Sequence, residues 1–291
     1  MHDWLSGTGV ALITPFNEQL EIDFDALKKV LDHVSEGGVD YLVVLGTTGE
    51  SVTLSIAEKH KILSFVFKNN SKNLPVVFGL GGYDTKELVD FMPQLEQYPL
   101  KALLSVTPYY NKPNQAGLLQ HFTYLADHSK LPIILYNVPG RTGCNIKAST
   151  TLELAKHPNI IAIKEASGDL VQCIEVARSM PEGFQLISGD DVLTVPILSI
   201  GGSGVISVIA NAFPAEFSGM VRHSLAGDAA KASAVLHKLY EVIQLTTEEG
   251  NPTGIKAIVS ALGIGNDRVR MPLVSASSTL KARIKSAIGS I

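Results

Sequence analysis

IIAIKEASGD, residues 160–169, begins as a short apolar run and passes through two charged residues into a turn. A run that is apolar at nearly every position is typical of a strand buried on both faces of a parallel sheet. Lys164 stands at the carboxyl end of this run, where burial leaves an ammonium group poorly solvated. The stretch therefore predicts a buried strand that delivers a lysine to its carboxyl end.

Similar apolar runs recur along the chain at intervals of roughly thirty residues, the scale of one βα unit. Amphipathic segments with a helical period lie between them, for example residues 24–37, 55–69 and 151–158. Eight such alternations predict an α/β fold, the (β/α)8 TIM barrel. The predicted strands are GVALITPF (9–16), VDYLVVLG (39–46), LPVVFGLG (74–81), KALLSVTPY (101–109), LPIILYNV (131–138), IIAIKE (160–165), QLISGD (185–190) and GVISVI (204–209).

After residue 225 the strand pattern stops, and three helical patterns follow at residues 228–250, 252–263 and 277–290. These helices are too thinly apolar to form a core of their own. The sequence therefore predicts a catalytic barrel domain at residues 1–225 and a C-terminal helical region at residues 226–291 that packs on the barrel.

The composition is that of an ordinary soluble protein, with 45% hydrophobic and 18% charged residues. A net charge of −4 without any basic run argues against a nucleic-acid partner. The apolar runs are far shorter than the roughly 20 residues that span a bilayer, and no signal-peptide pattern opens the sequence. Two cysteines without CxxC spacing are typical of a reduced compartment. We therefore expect a cytoplasmic protein without a membrane partner.

In a barrel of this type, chemistry gathers where the strands give way to the βα loops. The predicted strand ends deliver many reactive side chains to that rim of the barrel. The motifs concerned are GTTGES (46–51), TPYYNKP (107–113), YNVPGRTG (136–143), KE (164–165) and GDD (189–191).

Lys164 is the strongest candidate for catalysis among these residues. A poorly hydrated barrel mouth disfavours the ammonium, and a neutral amine is a nucleophile that forms a Schiff base with a carbonyl substrate. The alternative is a structural lysine that pairs with a carboxylate such as Glu165 or Asp190. Because side chains alternate along a strand, Glu165 is expected to point away from the barrel interior and to be a structural charge.

Hydroxyl and guanidinium groups accompany the lysine at the predicted rim. Tyr136 could move protons, or it could be a core tyrosine whose hydroxyl has a partner. Thr47 and Thr48, in a tight loop with glycines, could bind a carboxylate, or they could simply form a turn. Arg141 could form a two-point contact with a carboxylate, or it could lie solvated in its loop.

Two other chemistries compete with a Schiff base. A metal-dependent aldolase needs histidine or carboxylate ligands at the barrel mouth, but all eight histidines lie outside the predicted strand ends. Asp190 and Asp191 alone make a poor metal site. A phosphate-binding barrel uses glycine-rich loops after strands seven and eight, whereas GGSG (201–204) precedes strand eight. The residue patterns alone decide for neither.

The ordered set of motifs, completed by IKEASGD and GGSGVISV, resembles the dihydrodipicolinate synthase family over essentially the whole chain. The resemblance implies a lyase that condenses pyruvate with aspartate-4-semialdehyde to 4-hydroxy-tetrahydrodipicolinate. This reaction is the first committed step of the diaminopimelate and lysine pathway. The resemblance implies neither a cofactor nor a metal.

The resemblance also implies roles for individual residues. Lys164 would form the Schiff base with pyruvate, and Tyr136, Thr47 and Tyr110 would form a proton relay. Because the matching tyrosine reaches in from a neighbouring subunit, Tyr110 implies an oligomer, and the family implies a homotetramer built as a dimer of dimers. The implied substrate-binding residues are Thr48 with Thr47 for the pyruvate carboxylate, Arg141 for the semialdehyde carboxylate, Ile206 for a backbone carbonyl near the lysine, and Gly189 and Asp190 beside the second substrate.

Two alternatives share parts of this site. N-acetylneuraminate lyases and 2-keto-3-deoxy sugar acid aldolases use the same lysine and tyrosine, but their second substrate presents hydroxyls. Arg141 and the double tyrosine at 109–110 favour a compact amino-carboxylate instead. A non-enzymatic scaffold that binds a keto acid is the other alternative, and the complete lysine–tyrosine–threonine set argues against it.

Many family members bind lysine as a feedback inhibitor at a cleft in the dimer interface. Ser51, Glu87 and Tyr109 match positions of that cleft. Isoleucine cannot hydrogen-bond the effector, and a lysine side chain would repel its ammonium group. We therefore predict weak or absent inhibition by lysine, because sensitive members commonly carry polar ligands where this chain has Ile56, Lys59 and Tyr83.

Overall fold

A computed structural model describes residues 2–291 of the chain. Eight parallel strands close into a barrel in chain order, and β8 pairs with β1. This topology confirms the predicted (β/α)8 barrel. The strands are β1 (Gly7–Ala11), β2 (Tyr41–Val44), β3 (Val76–Leu80), β4 (Ala102–Val106), β5 (Ile133–Asn137), β6 (Ile160–Glu165), β7 (Gln185–Ser188) and β8 (Gly204–Ser207).

Most of the predicted runs extend past the carboxyl ends of these strands. The first run was expected to end at residue 16, but β1 ends at Ala11. Leu12, Ile13 and Phe16 are nevertheless almost completely buried. Apolar side chains therefore continue into the loop after the strand pairing has stopped, and a hydrophobic pattern cannot mark that boundary.

Helices fill the connections and cover the barrel. Many begin at a side-chain cap; Ser55 and Glu58, for example, form a reciprocal capping box at the start of α2. The helices are α1 (Phe24–Glu36), α2 (Ile56–Asn69), α3 (Thr85–Phe91), α4 (Gln115–His128), α5 (Pro139–Thr142), α6 (Ala148–Leu154), α7 (Leu170–Ser179), α8 (Thr194–Ser199), α9 (Pro214–Leu225), α10 (Ala229–Leu245), α11 (Thr253–Ala261) and α12 (Ser278–Ile288). None of the helices in residues 2–291 is both long and apolar enough to cross a bilayer.

The three predicted C-terminal helices are present as α10, α11 and α12. Helix α10 packs on α8 and α9, and α12 packs on α10 and α11. Helix α10 was expected to reach residue 250 but ends at Leu245. The hydroxyls of Thr246 and Thr247 donate to the carbonyls of Ile243 and Gln244, and such local bonds compete with continued helix. The division of the chain at residue 225 stays a prediction.

Side-chain alternation divides the barrel into two apolar layers. On β5, Ile134 and Tyr136 belong to the cluster inside the barrel, whereas Ile133 and Leu135 belong to the layer between strands and helices. The ring of Tyr41 fills part of the interior, and a Cβ at Gly9 would lie 2.2 Å from its Cε2 atom. The interior is therefore a packed core, and space for a substrate exists only beyond the carboxyl ends of the strands.

Candidate active site

A cavity of about 640 Å³ opens at the carboxyl ends of β2 to β5. Thr47, Tyr136 and Arg141 lie on its wall, so the loop after β2 meets the end of β5 and the segment that follows it. The same cavity continues to α2 and α3, where its wall includes the residues matched to the effector cleft: Ser51, Ile56, Lys59, Tyr83, Glu87 and Tyr109. The candidate effector cleft is therefore continuous with the part of the candidate reaction site that Thr47, Tyr136 and Arg141 form.

Lys164 lies against Tyr136 at the mouth of the barrel. The two residues are register partners on β5 and β6, and the Lys164 Nζ atom is 4.3 Å from the centroid of the tyrosine ring. Only 5% of Lys164 is exposed. The ion pairs formed within residues 2–291 do not include Lys164, so the alternative in which it pairs with Glu165 or Asp190 is wrong.

Glu165 points away from the barrel interior, as alternation predicts. Its carboxylate accepts hydrogen bonds from Asn137 Nδ2 at 3.0 Å, from Gln172 Nε2 at 2.9 Å and from the Ser167 N–H at 2.8 Å. Glu165 is therefore a structural charge that ties the ends of β5 and β6 to α7. Sequence reasoning missed Asn137 and Gln172, although alternation places Asn137 on the same outer side as Glu165.

Gly189 gives the lysine its room. A Cβ built on Gly189 would lie 3.0 Å from Lys164 Cε and 2.6 Å from the Cβ of Ala166, so any side chain would press on both. The next residue, Asp190, accepts hydrogen bonds from the N–H groups of Val192 and Leu193 and shapes the turn into α8. Gly189 is thus brought to the lysine, whereas the Asp190 carboxylate supports its own loop.

Asp191 and Ile206 belong to the last two strand units of the barrel: Asp191 follows β7, and Ile206 lies on β8. Asp191 Oδ2 accepts hydrogen bonds from the N–H groups of Val208 at 3.1 Å and Ile209 at 2.8 Å, and burial raises the pKa of this carboxyl to about 6. Ile206 is buried inside the barrel as part of the interior cluster. Residues 2–291 contain no group of three or more histidine, cysteine or acidic side chains placed to hold a metal ion.

The loop at residues 46–51 presents two hydroxyls in different ways. Thr47 is half-buried on the cavity wall, whereas Thr48 is buried and its Oγ1 accepts a hydrogen bond from Asn251 Nδ2 at 3.0 Å. The loop is also held from the segment after β1, since Thr14 Oγ1 donates to the Gly49 carbonyl at 2.8 Å. Contacts from Thr14 and from Asn251 therefore hold the loop, and it is more than a simple turn.

Arg141 is exposed and its Nη2 donates to the Asn251 carbonyl at 3.1 Å. Asn251 thus links Thr48 to Arg141, two residues from different loops. Sequence reasoning missed Asn251 because it lies between two predicted helices of the C-terminal region, far from any strand end. No signal in the sequence marks it as part of the site.

The sequence model of the Dihydrodipicolinate synthetase family matches residues 5–291. The chain belongs to this family. It is 47% identical over 279 residues to the 4-hydroxy-tetrahydrodipicolinate synthase of Flavobacterium psychrophilum, an alignment that covers 96% of this chain and 95% of the relative.

Solved structures of the dihydrodipicolinate synthetase family have the same architecture. A dihydrodipicolinate synthase described as the first monomeric variant has a TM-score of 0.96 at 34% identity, with 99% of this chain and 97% of that chain covered. The chloride-inhibited enzyme of Acinetobacter baumannii, complexed with pyruvate, has a TM-score of 0.95 at 32% identity and covers 98% of both chains. The similarity includes the C-terminal helices as well as the barrel.

One residue of the predicted proton relay, Tyr110, is not brought to Lys164 within a single chain. Tyr110 is 89% exposed and adopts a left-handed backbone conformation with φ of 71°. Its neighbour Tyr109 is half-buried and meets the ring of Tyr83 edge-on at 5.6 Å between centroids. The predicted role of Tyr110 in a proton relay stays a prediction.

Proposed function

We propose that this chain condenses pyruvate with aspartate-4-semialdehyde through a Schiff base on Lys164, forming 4-hydroxy-tetrahydrodipicolinate for diaminopimelate and lysine biosynthesis. The family match over residues 5–291 establishes the reaction class. The observation that carries the assignment of the nucleophile is the buried Lys164 side chain, whose Nζ atom lies on the Tyr136 ring with no carboxylate partner among residues 2–291.

The proposed reaction begins when the neutral Lys164 amine attacks the keto carbon of pyruvate, and loss of water leaves an iminium ion. The positive charge acidifies the methyl group, which loses a proton and gives an enamine. The enamine carbon then forms a bond to the aldehyde carbon of the second substrate. The amine of that substrate finally displaces Lys164, which closes the six-membered ring and frees the enzyme.

The proposed binding groups follow from their places around the cavity. Thr47 and Thr48 bind the pyruvate carboxylate, and Tyr136 and Thr47 relay protons with Tyr110 of a neighbouring subunit. Arg141, at the entrance, binds the carboxylate of the semialdehyde. Gly189, Asp190 and the Ile206 backbone carbonyl complete the pocket near the lysine.

We further propose a homotetramer that works in the cytoplasm. The exposed, left-handed Tyr110 supports an interface at that loop, since the relay would lack a member in an isolated chain. Cys144 and Cys173 are free, buried thiols, which agrees with a reducing compartment. Sedimentation of the purified chain tests the assembly: a species that stays monomeric at assay concentration and is fully active would contradict the role of Tyr110.

Borohydride reduction with pyruvate tests the nucleophile. Reduction converts the imine to a stable secondary amine, so mass mapping should find the adduct on the peptide that contains Lys164. Lys164→Ala should abolish the adduct, and Lys101→Ala, which removes an exposed lysine, should leave it unchanged. Turnover with aspartate-4-semialdehyde but not with N-acetylmannosamine or glyceraldehyde then separates the synthase from the sugar acid aldolases. An adduct on another residue would refute the proposal.

A further inference from the structure

Glu50 and Lys256 form an ion pair that is almost completely removed from solvent. Their side chains are 1% and 0% exposed, and their positions in the sequence differ by 206. Glu50 closes the loop that carries Thr47 and Thr48, whereas Lys256 lies in α11 of the C-terminal region. The pair therefore joins the C-terminal region to the loop assigned to the substrate carboxylate.

Each charge of this pair has further partners. Glu50 Oε2 accepts a hydrogen bond from the Arg270 N–H at 2.9 Å, and Lys256 Nζ donates to the Arg268 carbonyl at 2.8 Å. The Lys256 ammonium also lies 4.2 Å from the centroid of the Phe16 ring. A buried ion pair needs such additional bonds to offset the cost of removing two charges from water. These bonds therefore fix the orientation of both charged side chains.

The backbone of Glu50 shows that the pair acts on a constrained segment. Glu50 adopts a left-handed conformation with φ of 53°, which a residue with a side chain rarely adopts. Its N–H donates to the Thr47 carbonyl at 3.0 Å, and its own carbonyl accepts from the Thr53 N–H at 3.0 Å. Because the Glu50 side chain is fixed by Lys256, the turn that sets the direction of Thr47 and Thr48 is fixed as well.

A second contact from the same C-terminal segment reaches the loop directly. Asn251, five residues before Lys256, donates to Thr48 Oγ1 at 3.0 Å. The C-terminal region thus contacts the loop through two of its side chains, Thr48 and Glu50. For stability alone, an apolar pair of similar volume would serve as well as a buried ion pair. The ionic pair adds a defined geometry at the loop.

We propose that Glu50 and Lys256 are positioning residues of the active site, which hold the loop so that Thr47 and Thr48 meet the carboxylate of the keto acid. This inference rests on the proposed function, because it needs the two threonines to bind that carboxylate. Neither Glu50 nor Lys256 contacts the substrate in this arrangement. The C-terminal region is consequently part of the catalytic unit.

The test compares the double variant Glu50→Gln/Lys256→Met with Leu280→Ala. The double variant removes both buried charges together, which avoids leaving one of them without its partner. Leu280 is buried in α12, which packs on α10 and α11 in the same C-terminal region, so its truncation is the control for lost stability that leaves the ion pair's own side chains in place. The measurements are the melting temperature, KM for each substrate and the rate of borohydride-trapped adduct formation on Lys164.

We expect the double variant to raise KM for pyruvate about tenfold or more and to slow adduct formation, because small displacements of positioning groups are costly. KM for the semialdehyde should change far less, and Leu280→Ala should keep both KM values while it lowers the melting temperature. An unchanged KM for pyruvate in a folded double variant would overturn the proposal. If the double variant does not fold, Glu50→Asp is measured instead, because it keeps both charges and shortens the acidic side chain. A raised KM for pyruvate in this variant supports the proposal, and an unchanged KM overturns it.

The wild-type control separates the two proposals. If pyruvate and borohydride leave no adduct on Lys164 of the wild-type chain, the proposed function fails and the positioning role fails with it. If the wild-type chain is trapped on Lys164 and the variants behave like it, only the positioning role is wrong.

Discussion

The Lys164 ammonium lies 4.3 Å from the centroid of the Tyr136 ring, and the two residues are direct partners on neighbouring strands. The ring face carries partial negative charge, which stabilises a cation without neutralising it as a carboxylate would. The lysine is buried, yet no ion pair within residues 2–291 engages it. The Lys164 nitrogen is therefore held at the barrel mouth by a tyrosine ring and not by a carboxylate, where it can meet a carbonyl carbon.

Tyr136→Phe should separate proton transfer from capture of pyruvate. The ring under Lys164 remains, so borohydride should still trap pyruvate on the lysine, while turnover should fall by about 10²- to 10⁴-fold because the phenol is lost. Steady-state kinetics and adduct mass measure the two effects. Equal losses of trapping and turnover would show that the hydroxyl is needed for capture itself.

Gly189→Ala should damage the site by crowding the lysine. The new methyl group would lie 3.0 Å from Lys164 Cε and 2.6 Å from Ala166 Cβ. We expect kcat/KM for pyruvate to fall about tenfold or more, with overpacking that costs about 1–3 kcal/mol of the free energy of unfolding. Gly219→Ala, in α9 where a Cβ meets nothing within 4 Å, is the control and should keep wild-type activity. Wild-type kinetics in Gly189→Ala would contradict the packing argument.

Arg141→Ala should selectively weaken the binding of the second substrate, aspartate-4-semialdehyde. Loss of a charged contact to a carboxylate corresponds to about a 10- to 100-fold rise in KM for the semialdehyde. Trapping of pyruvate on Lys164 should be unaffected, because Arg141 lies at the exposed entrance. Arg178→Ala, at an exposed position of α7, is the matched control. A rise in KM for pyruvate alone would assign Arg141 to the first substrate.

The stability of the chain should depend on pH through Asp191. Burial raises the pKa of this carboxyl from its ordinary value of 3.8 to about 6 in the folded chain. The folded state therefore keeps a proton that the unfolded state has lost, and the stabilisation this provides is present below pH 3.8 and is lost as pH rises through about 6. Urea unfolding of the wild type and of Asp191→Asn near pH 5 and pH 7 measures it. The wild type should lose more stability than the variant on going to the higher pH, and equal changes would contradict the assignment.

L-lysine should inhibit this protein weakly or not at all. Burial lowers the pKa of Lys59, and the nearby Glu87 carboxylate opposes that shift. Lys59 therefore already interacts with the carboxylate that the ammonium group of the effector would need. Ile56, exposed at the cavity wall, offers the effector no hydrogen bond. Initial rates across a lysine titration measure this, and half-inhibition at micromolar lysine would contradict the prediction. Lys59→Ala removes the competing ammonium group and should not lower the sensitivity of the protein to L-lysine.

The sequence determined the barrel, because eight doubly buried strands produce long apolar runs at regular spacing. It also indicated that Lys164 stands at a strand end and that Glu165 points away from it, since alternation fixes the side of each residue. Strand ends were less predictable. Residues 12, 13 and 16 are buried after β1 has ended, so their hydrophobicity reports packing and does not report strand pairing.

Only the tertiary structure decided how the C-terminal region serves the site. The contacts of Asn251 with Thr48 and of Lys256 with Glu50 join residues about two hundred positions apart. No local pattern encodes such a pair, because a buried lysine in an amphipathic helix looks like any charged residue until its neighbours are known. Periodicity reveals what each segment buries, whereas the partner of a buried charge depends on how the segments are brought together.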